Sequence, residues 1–191
     1  MWKIPMWKKL ALGAAVVVAA LLAFVAVQPA AFVVERSAEV AAPAAVVQAH
    51  IENLRAMDEW SPWVKMDPQL EISYAGPESG VGASSAWQGP QMGEGRLTVT
   101  AVRPGQEVEM RLEMLAPMAA TNRVLFQLAP AAGGTRVTWR MEGRNGFLGK
   151  AVALLADMDE MVGVPFEQGL ASLASVVEAD PHAPGGVTAS K

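Results

Sequence analysis

The sequence predicts an α+β fold, an antiparallel meander covered by one long helix near the C-terminus. Three observations carry that prediction. Between Phe32 and Glu142 apolar residues alternate with polar ones and are punctuated by Gly and Pro turns, the pattern of short half-buried strands. From Met158 to Glu178 the period changes: Met158, Val162, Phe166, Leu170, Leu173 and Val177 recur every three or four residues, on one helix face. Helical patterns bunch at the two ends of the chain instead of alternating with strands, which separates α+β from α/β.

The first element is apolar throughout. Leu10 to Val27 holds no charged residue, and at about 1.5 Å rise per residue it approaches the roughly 30 Å hydrocarbon thickness of a bilayer. Lys3, Lys8 and Lys9 precede it, no charge follows until Glu35, and Trp2 and Trp7 are placed for headgroup depth. By the positive-inside rule residues 1–9 are then cytoplasmic, 10–27 form a single transmembrane anchor, and the rest lies outside the cytoplasm, periplasmic if the membrane is an inner one. A cleavable signal peptide has a shorter apolar region and a small-x-small site; Val27-Gln28-Pro29-Ala30-Ala31 is a poor one, so the anchor is expected to stay. With no Cys the chain has neither a lipid-attachment thiol nor a disulfide.

Next, Ala31 to Val40 reads as a first strand. Pro43 opens a helical pattern through Leu54, since the missing N–H of proline is not needed at a helix start. A second short helical piece, Arg55 to Glu59, leads into Trp60-Ser61-Pro62-Trp63, where Pro62 holds Ser61 extended and stops the helix. Strands follow at Leu70–Tyr74, Ala83–Gln88 and Arg96–Ala101, separated by turns at Gly76-Pro77, Gly89-Pro90 and Pro104-Gly105. The clearest strand has Val108, Met110, Leu112 and Met114 on one face and Glu107, Glu109, Arg111 and Glu113 on the other. Val124, Phe126 and Leu128, then a Gly133-Gly134 hairpin and Val137, Trp139 and Met141, complete the meander. Helical period returns after Gly146. Inside the last helix Pro165 predicts a kink across which the apolar phase continues. Residues 180–191, polar and Pro/Gly-rich, read as an unstructured tail.

Charge narrows the function. Past Val27 the chain holds twelve Lys and Arg against nineteen Asp and Glu, a formal charge of −7. Nucleic acid needs a basic footprint and is excluded as a partner; adhesion of the domain to anionic lipid is disfavoured.

The order strand, two short helices, meander, long helix resembles the START-like (SRPBCC) superfamily, and within it the polyketide cyclase/dehydrase and lipid transport group. The local matches are Glu35-Arg36-Ser37 with Ala42-Pro43, Trp60-Ser61-Pro62-Trp63, Gly80-Val81-Gly82 with Trp87, Gly134-Thr135-Arg136-Val137-Thr138-Trp139, and Phe166-Glu167-Gln168-Gly169-Leu170. They span residues 31–179. The resemblance implies a helix-grip fold, a curved antiparallel sheet wrapped on the C-terminal helix with an apolar cavity between them. It implies no shared catalytic set and no cofactor.

The cavity wall is then expected from Trp87, Val99, Met110, Leu112, Phe126 and Trp139 on the strands and from Met158, Val162, Phe166 and Gly169 on the helix. Gly169 falls on the buried face without a side chain, which leaves room for a ligand or for close approach of the sheet; the roomiest point is expected near it. Met57, Met66, Met92, Met110, Met114, Met118, Met141, Met158 and Met161 suit an adaptable apolar lining. Chemistry-bearing residues are few. His50 is read as a structural helix residue, His182 as a bystander in the tail and Tyr74 as core. Glu94 is read as a turn carboxylate, and Asp157, Asp159 and Glu160 as a solvated helix face too poor in oxygens for a hard cation. No catalytic or metal-binding residue is assigned.

Three functions follow in order. The first is membrane-anchored binding of a small hydrophobic or lipid-like ligand. The second is a cyclase- or dehydratase-type enzyme acting in the same cavity, its polar group supplied by Tyr74, Glu94 or His50. The third is a protein-interaction module with a filled interior and an exposed patch around Trp60 and Trp63.

Overall fold

In the computed structural model, residues 5–154 and 158–180 are described. The chain runs α1 (Met6–Val27), β1 (Ala31–Val40), α2 (Ala44–Glu52), α3 (Leu54–Trp60), α4 (Pro62–Met66), β2 (Glu71–Ala75) and β3 (Ser84–Gly89). It continues through β4 (Gly93–Arg103), β5 (Glu107–Ala116), β6 (Ala120–Ala131), β7 (Gly134–Arg144), α5 (Phe147–Ala153) and α6 (Met158–Ala179).

The seven strands form one antiparallel sheet in the order β1-β7-β6-β5-β4-β3-β2. β2 to β7 are the meander expected from the period-two pattern. β1 joins it beyond the last strand, with Val34 opposite Met141 and Arg36 opposite Trp139. The β6–β7 hairpin turns at Gly134, φ +153°, where the Val40 carbonyl stands in the place of a Cβ; only glycine fits. Register shifts at Glu94/Gly95 and Val99/Ala101 between β4 and β5 are bulges, which bend a strand and increase its twist. The result is the helix-grip arrangement, a curved sheet against a C-terminal helix.

α6 runs through Pro165 as one helix. It is tied to β1 by Arg36, whose guanidinium donates to Asp159 Oδ2 at 2.7 Å and to Glu167 Oε1 at 2.7 Å. Gly163 is where this guanidinium crosses the helix: any Cβ there would collide with it. Asp159 is solvent-exposed, as expected of that helix face, and pairs there with Arg36. Arg36 holds the Asp159 carboxyl below the usual range, chiefly through the hydrogen bond.

One short helix was not expected. Pro62 ends α3 at Trp60 as predicted, but it also sits at the first position of α4. Its fixed φ starts a helix as readily as it stops one. Asp157, His182 and the expected tail from Pro181 onward lie outside the described residues. Within α1, the 19 residues Lys9–Val27 are long and apolar enough to cross a membrane, and none of that stretch is buried against the domain. Three residues, Gln28 to Ala30, join it to β1.

Candidate ligand cavity

The curved sheet, α3, α4 and the first half of α6 enclose a cavity of about 290 Å³. Alternation builds its floor. Met110, Leu112 and Met114 of β5 point into it, as do Asn122, Val124 and Phe126 of β6 and Trp139 and Met141 of β7. These residues are neighbours across the ladder, Met110 opposite Val124, Leu112 opposite Asn122 and Phe126 opposite Trp139, so the floor is continuous. Ile72, Ser85, Trp87, Met92 and Leu97 raise the far wall. Met57, Asp58, Ser61, Trp63, Val64, Val162 and Phe166 supply the helical side.

An aromatic plug closes one end. Trp139 stacks on Phe166 with ring centroids 4.0 Å apart and planes 10° from parallel. Phe126 lies 5.0 Å from Trp139, and Trp60 meets Trp139 edge-on at 5.6 Å. Such contacts contribute about 0.5–1.5 kcal/mol each beyond area burial. Trp60 is fully buried and its Nε1 donates to the His50 carbonyl at 3.0 Å. Trp60 and Trp63 therefore form no surface patch, and the interior is not filled; the interaction-module reading loses both of its signs.

Seven of the ten residues expected in the wall line the cavity: Trp87, Met110, Leu112, Phe126, Trp139, Val162 and Phe166. Val99 does not. It is buried in the packed core, two residues beyond Leu97 and beside the β4 bulge. Of the two readings of Gly169, close approach holds and the roomy point does not, since a Cβ there would lie 2.7 Å from Trp139 Cζ3 and 3.0 Å from Pro62 Cδ. The missing side chain admits the indole and α4, not a ligand. Met158 opens α6, and its side chain lies outside those described. Val124 was missed although it shares the alternation of residues that were found; Met57, Met92, Met114 and Met141, expected among the Met residues suited to an apolar lining, are in the wall. Asp58 and Asn122 carried no periodic signal.

Among the described residues the wall holds one ionisable group. Asp58 accepts a short hydrogen bond from the Tyr74 hydroxyl, and Arg55 stands 4.0 Å over the Tyr74 ring. Burial pushes the Asp58 carboxyl above its ordinary value, against the opposing effects of the Tyr74 hydrogen bond and the Arg55 charge. Burial and the Asp58 carboxylate together push Tyr74 up to about 12. The residues proposed for acid–base work lie elsewhere. Tyr74 lines a separate surface pocket with Leu54 and Arg55; His50 Nε2 is 3.0 Å from Asp180 Oδ2; Glu94 accepts from Gln88 at 3.1 Å. Two wall residues, Trp87 and Trp139, have buried indole N–H groups with no acceptor among the described residues. No group of three or more His, Asp or Glu is placed to hold a metal among the described residues.

A family model described as polyketide cyclase / dehydrase and lipid transport matches residues 31–178. Among solved structures, protein CV1439 from Chromobacterium violaceum is 18% identical with a TM-score of 0.58, covering 78% of this chain and 98% of its own. Ara h 8.0201 is 15% identical with a TM-score of 0.55, covering 78% and 99%. The di-domain ARO/CYC StfQ from the steffimycin biosynthetic pathway is 12% identical with a TM-score of 0.55, covering 78% of this chain and 51% of its own. Likeness at these identities is one of fold. A search of curated proteins finds no match.

Proposed function

We propose that this chain, which belongs to the polyketide cyclase / dehydrase and lipid transport family, is a membrane-anchored binding protein for a small hydrophobic or lipid-like ligand. The observation that carries the reading is the cavity itself, about 290 Å³ walled by aliphatic, aromatic and Met side chains, with Asp58 the one ionisable group among the described residues. That volume suits a small, mostly apolar ligand. Removing such a body from water stabilises the complex by about 25 cal/mol per Å² of apolar surface without any catalytic group. The Trp87 and Trp139 indoles favour a ligand that also carries an acceptor oxygen, because a buried donor left unpaired costs about 1–3 kcal/mol. Residues 31–179 are the binding domain, and Lys9–Val27 is the anchor. The lysines at its start place the N-terminus in the cytoplasm and the domain outside it.

The test is native mass spectrometry of the detergent-solubilised full chain beside its Val162→Trp variant, whose indole would occupy the cavity. A hydrophobic species bound to the wild type and missing from the variant is expected. A wild type that carries nothing, or the same species on both, sinks the reading.

A second reading is an enzyme of the cyclase or dehydratase type. Asp58 favours it, since it is an ionisable group in an apolar wall and burial raises its pKa, the direction that suits a proton donor. It requires turnover of the co-purified species that disappears in Asp58→Asn.

A further inference from the structure

We propose that α5 and the start of α6 form a second contact with the lipid surface, lying in the interfacial layer of the bilayer that α1 enters. This rests on the anchor reading of α1 and adds to it where the domain sits.

α5 buries no residue of its own in the domain. Phe147 is 45% exposed, Leu148 63% and Val152 40%, and Leu154, Met161 and Val164 are exposed as well. A seven-residue helix that contributes nothing to the core and shows its apolar side chains outward needs an apolar surrounding. Its position supplies one. Lys150 Nζ donates to the Ala26 carbonyl at 2.9 Å, and the Asn145 N–H donates to the Ala30 carbonyl at 2.7 Å. These two bonds fix α5 beside the last turn of α1. A span over Lys9–Val27 ends at the hydrocarbon boundary, so α5 is held at headgroup depth.

The chemistry of the contact follows from the sequence. Between Phe147 and Leu154 the only charged residue is Lys150. Association is therefore driven by apolar burial and not by anionic headgroups. The chain from Leu154 to Met158 reaches at most about 14 Å, so the start of α6 cannot stand far from α5. Val162, between the exposed Met161 and Val164, lines the cavity. The seating thus brings one wall of the cavity to the lipid.

The full chain has no Cys, so single cysteines carrying a nitroxide report depth directly. Leu148→Cys, Val81→Cys and Val18→Cys are reconstituted in phosphatidylcholine vesicles, and collisions with oxygen are compared with those of a water-soluble nickel chelate. The expected oxygen preference at position 148 is several-fold above that at 81 and below that at 18, and is unchanged by added salt. A label at 148 as aqueous as that at 81, with 18 in hydrocarbon, overturns the inference and leaves the anchor standing. A label at 148 shielded from both reagents, as by a second protein copy, overturns it too. An aqueous label at 18 fails the anchor reading itself.

Discussion

Along α6, Leu170, Leu173 and Val177 are each no more than 1% exposed, in a core shared with Val47 and Ile51 of α2. One and two turns earlier, Val162 and Phe166 carry the same apolar phase but face a cavity. The helix supplies the same kind of surface at both ends; what stands opposite differs. The packed end meets branched aliphatics with few rotamers. The open end meets Met57, Met92, Met110 and Met114, and thioether chains can change shape around an occupant. Phe166 and Trp139, stacked, divide the two. An amphipathic period therefore identifies the buried face and is silent on whether that face is filled.

The largest effect belongs to the packed end. Leu173→Ala removes a fully buried side chain where the surroundings cannot collapse, and should cost about 2–5 kcal/mol in chemical denaturation. Species bound in the cavity should be unaffected at temperatures where the variant remains folded. Parallel loss of binding under those conditions would mean that the two ends are one cooperative interior.

Gly169→Ala comes next and tests the divide. The added methyl would press on Trp139 Cζ3 and Pro62 Cδ, and overpacking of this kind costs about 1–3 kcal/mol. A neutral or stabilising result would mean that the helix–plug contact is loose, as an open wall at Gly169 would be.

How these positions read from the sequence differs for physical reasons. Side chains on strands alternate regardless of their neighbours, so spacing put Met110, Leu112, Phe126 and Trp139 on apolar strand faces, and the family resemblance made that face the cavity wall. Gly169 could not be resolved, because a glycine on a buried face is equally consistent with a gap and with close approach; Trp139 decides between them, from thirty residues away. Val99 keeps the face and register of Leu97, opposite Met110, but lies further along β4, where the interior is packed and not open. α4 is hidden in the sequence because Pro62 both stops α3 and starts α4, as Pro43 starts α2. Asp58 was invisible for a deeper reason. A polar residue on a short helix reaches the cavity only through the angle at which α3 sits on the sheet, and no local pattern encodes that angle.

At the open end, Val162→Trp should shift unfolding free energy by less than about 1.5 kcal/mol, since the cavity accepts added volume, while weakening ligand binding by about tenfold or more. A large stability loss with binding retained would place the occupied space elsewhere.

The smallest effect at neutral pH, and the most specific, concerns two carboxyls. Asp67 is buried, yet its Oδ atoms accept from the backbone N–H groups of Met92 at 3.0 Å, Gln91 at 2.8 Å and Gln69 at 3.3 Å. Burial raises its pKa, but these donors outweigh it and leave the carboxyl below its ordinary range. Asp58 is the reverse: burial dominates over Tyr74 and Arg55, and its pKa is raised. The signs follow from which state holds more protons. For Asp67 the unfolded chain protonates first as pH falls, so its stabilisation is present above the ordinary carboxylate value and is lost as pH drops through the depressed one. For Asp58 the folded protein keeps its proton longer as pH rises. Its contribution is therefore favourable below the ordinary value and is lost as pH climbs through the raised one. Asp58→Asn still accepts from the Tyr74 hydroxyl but no longer titrates, and should flatten the fall in stability above the ordinary carboxylate range. Asp67→Asn should flatten the fall on the acid side while lowering stability at neutral pH. Denaturation midpoints of both variants measured across the acid-to-neutral range check this. Slopes that change in the same direction would mean that the Asp58 carboxyl is solvated, which would remove the polar group on which the enzymatic reading of the cavity depends.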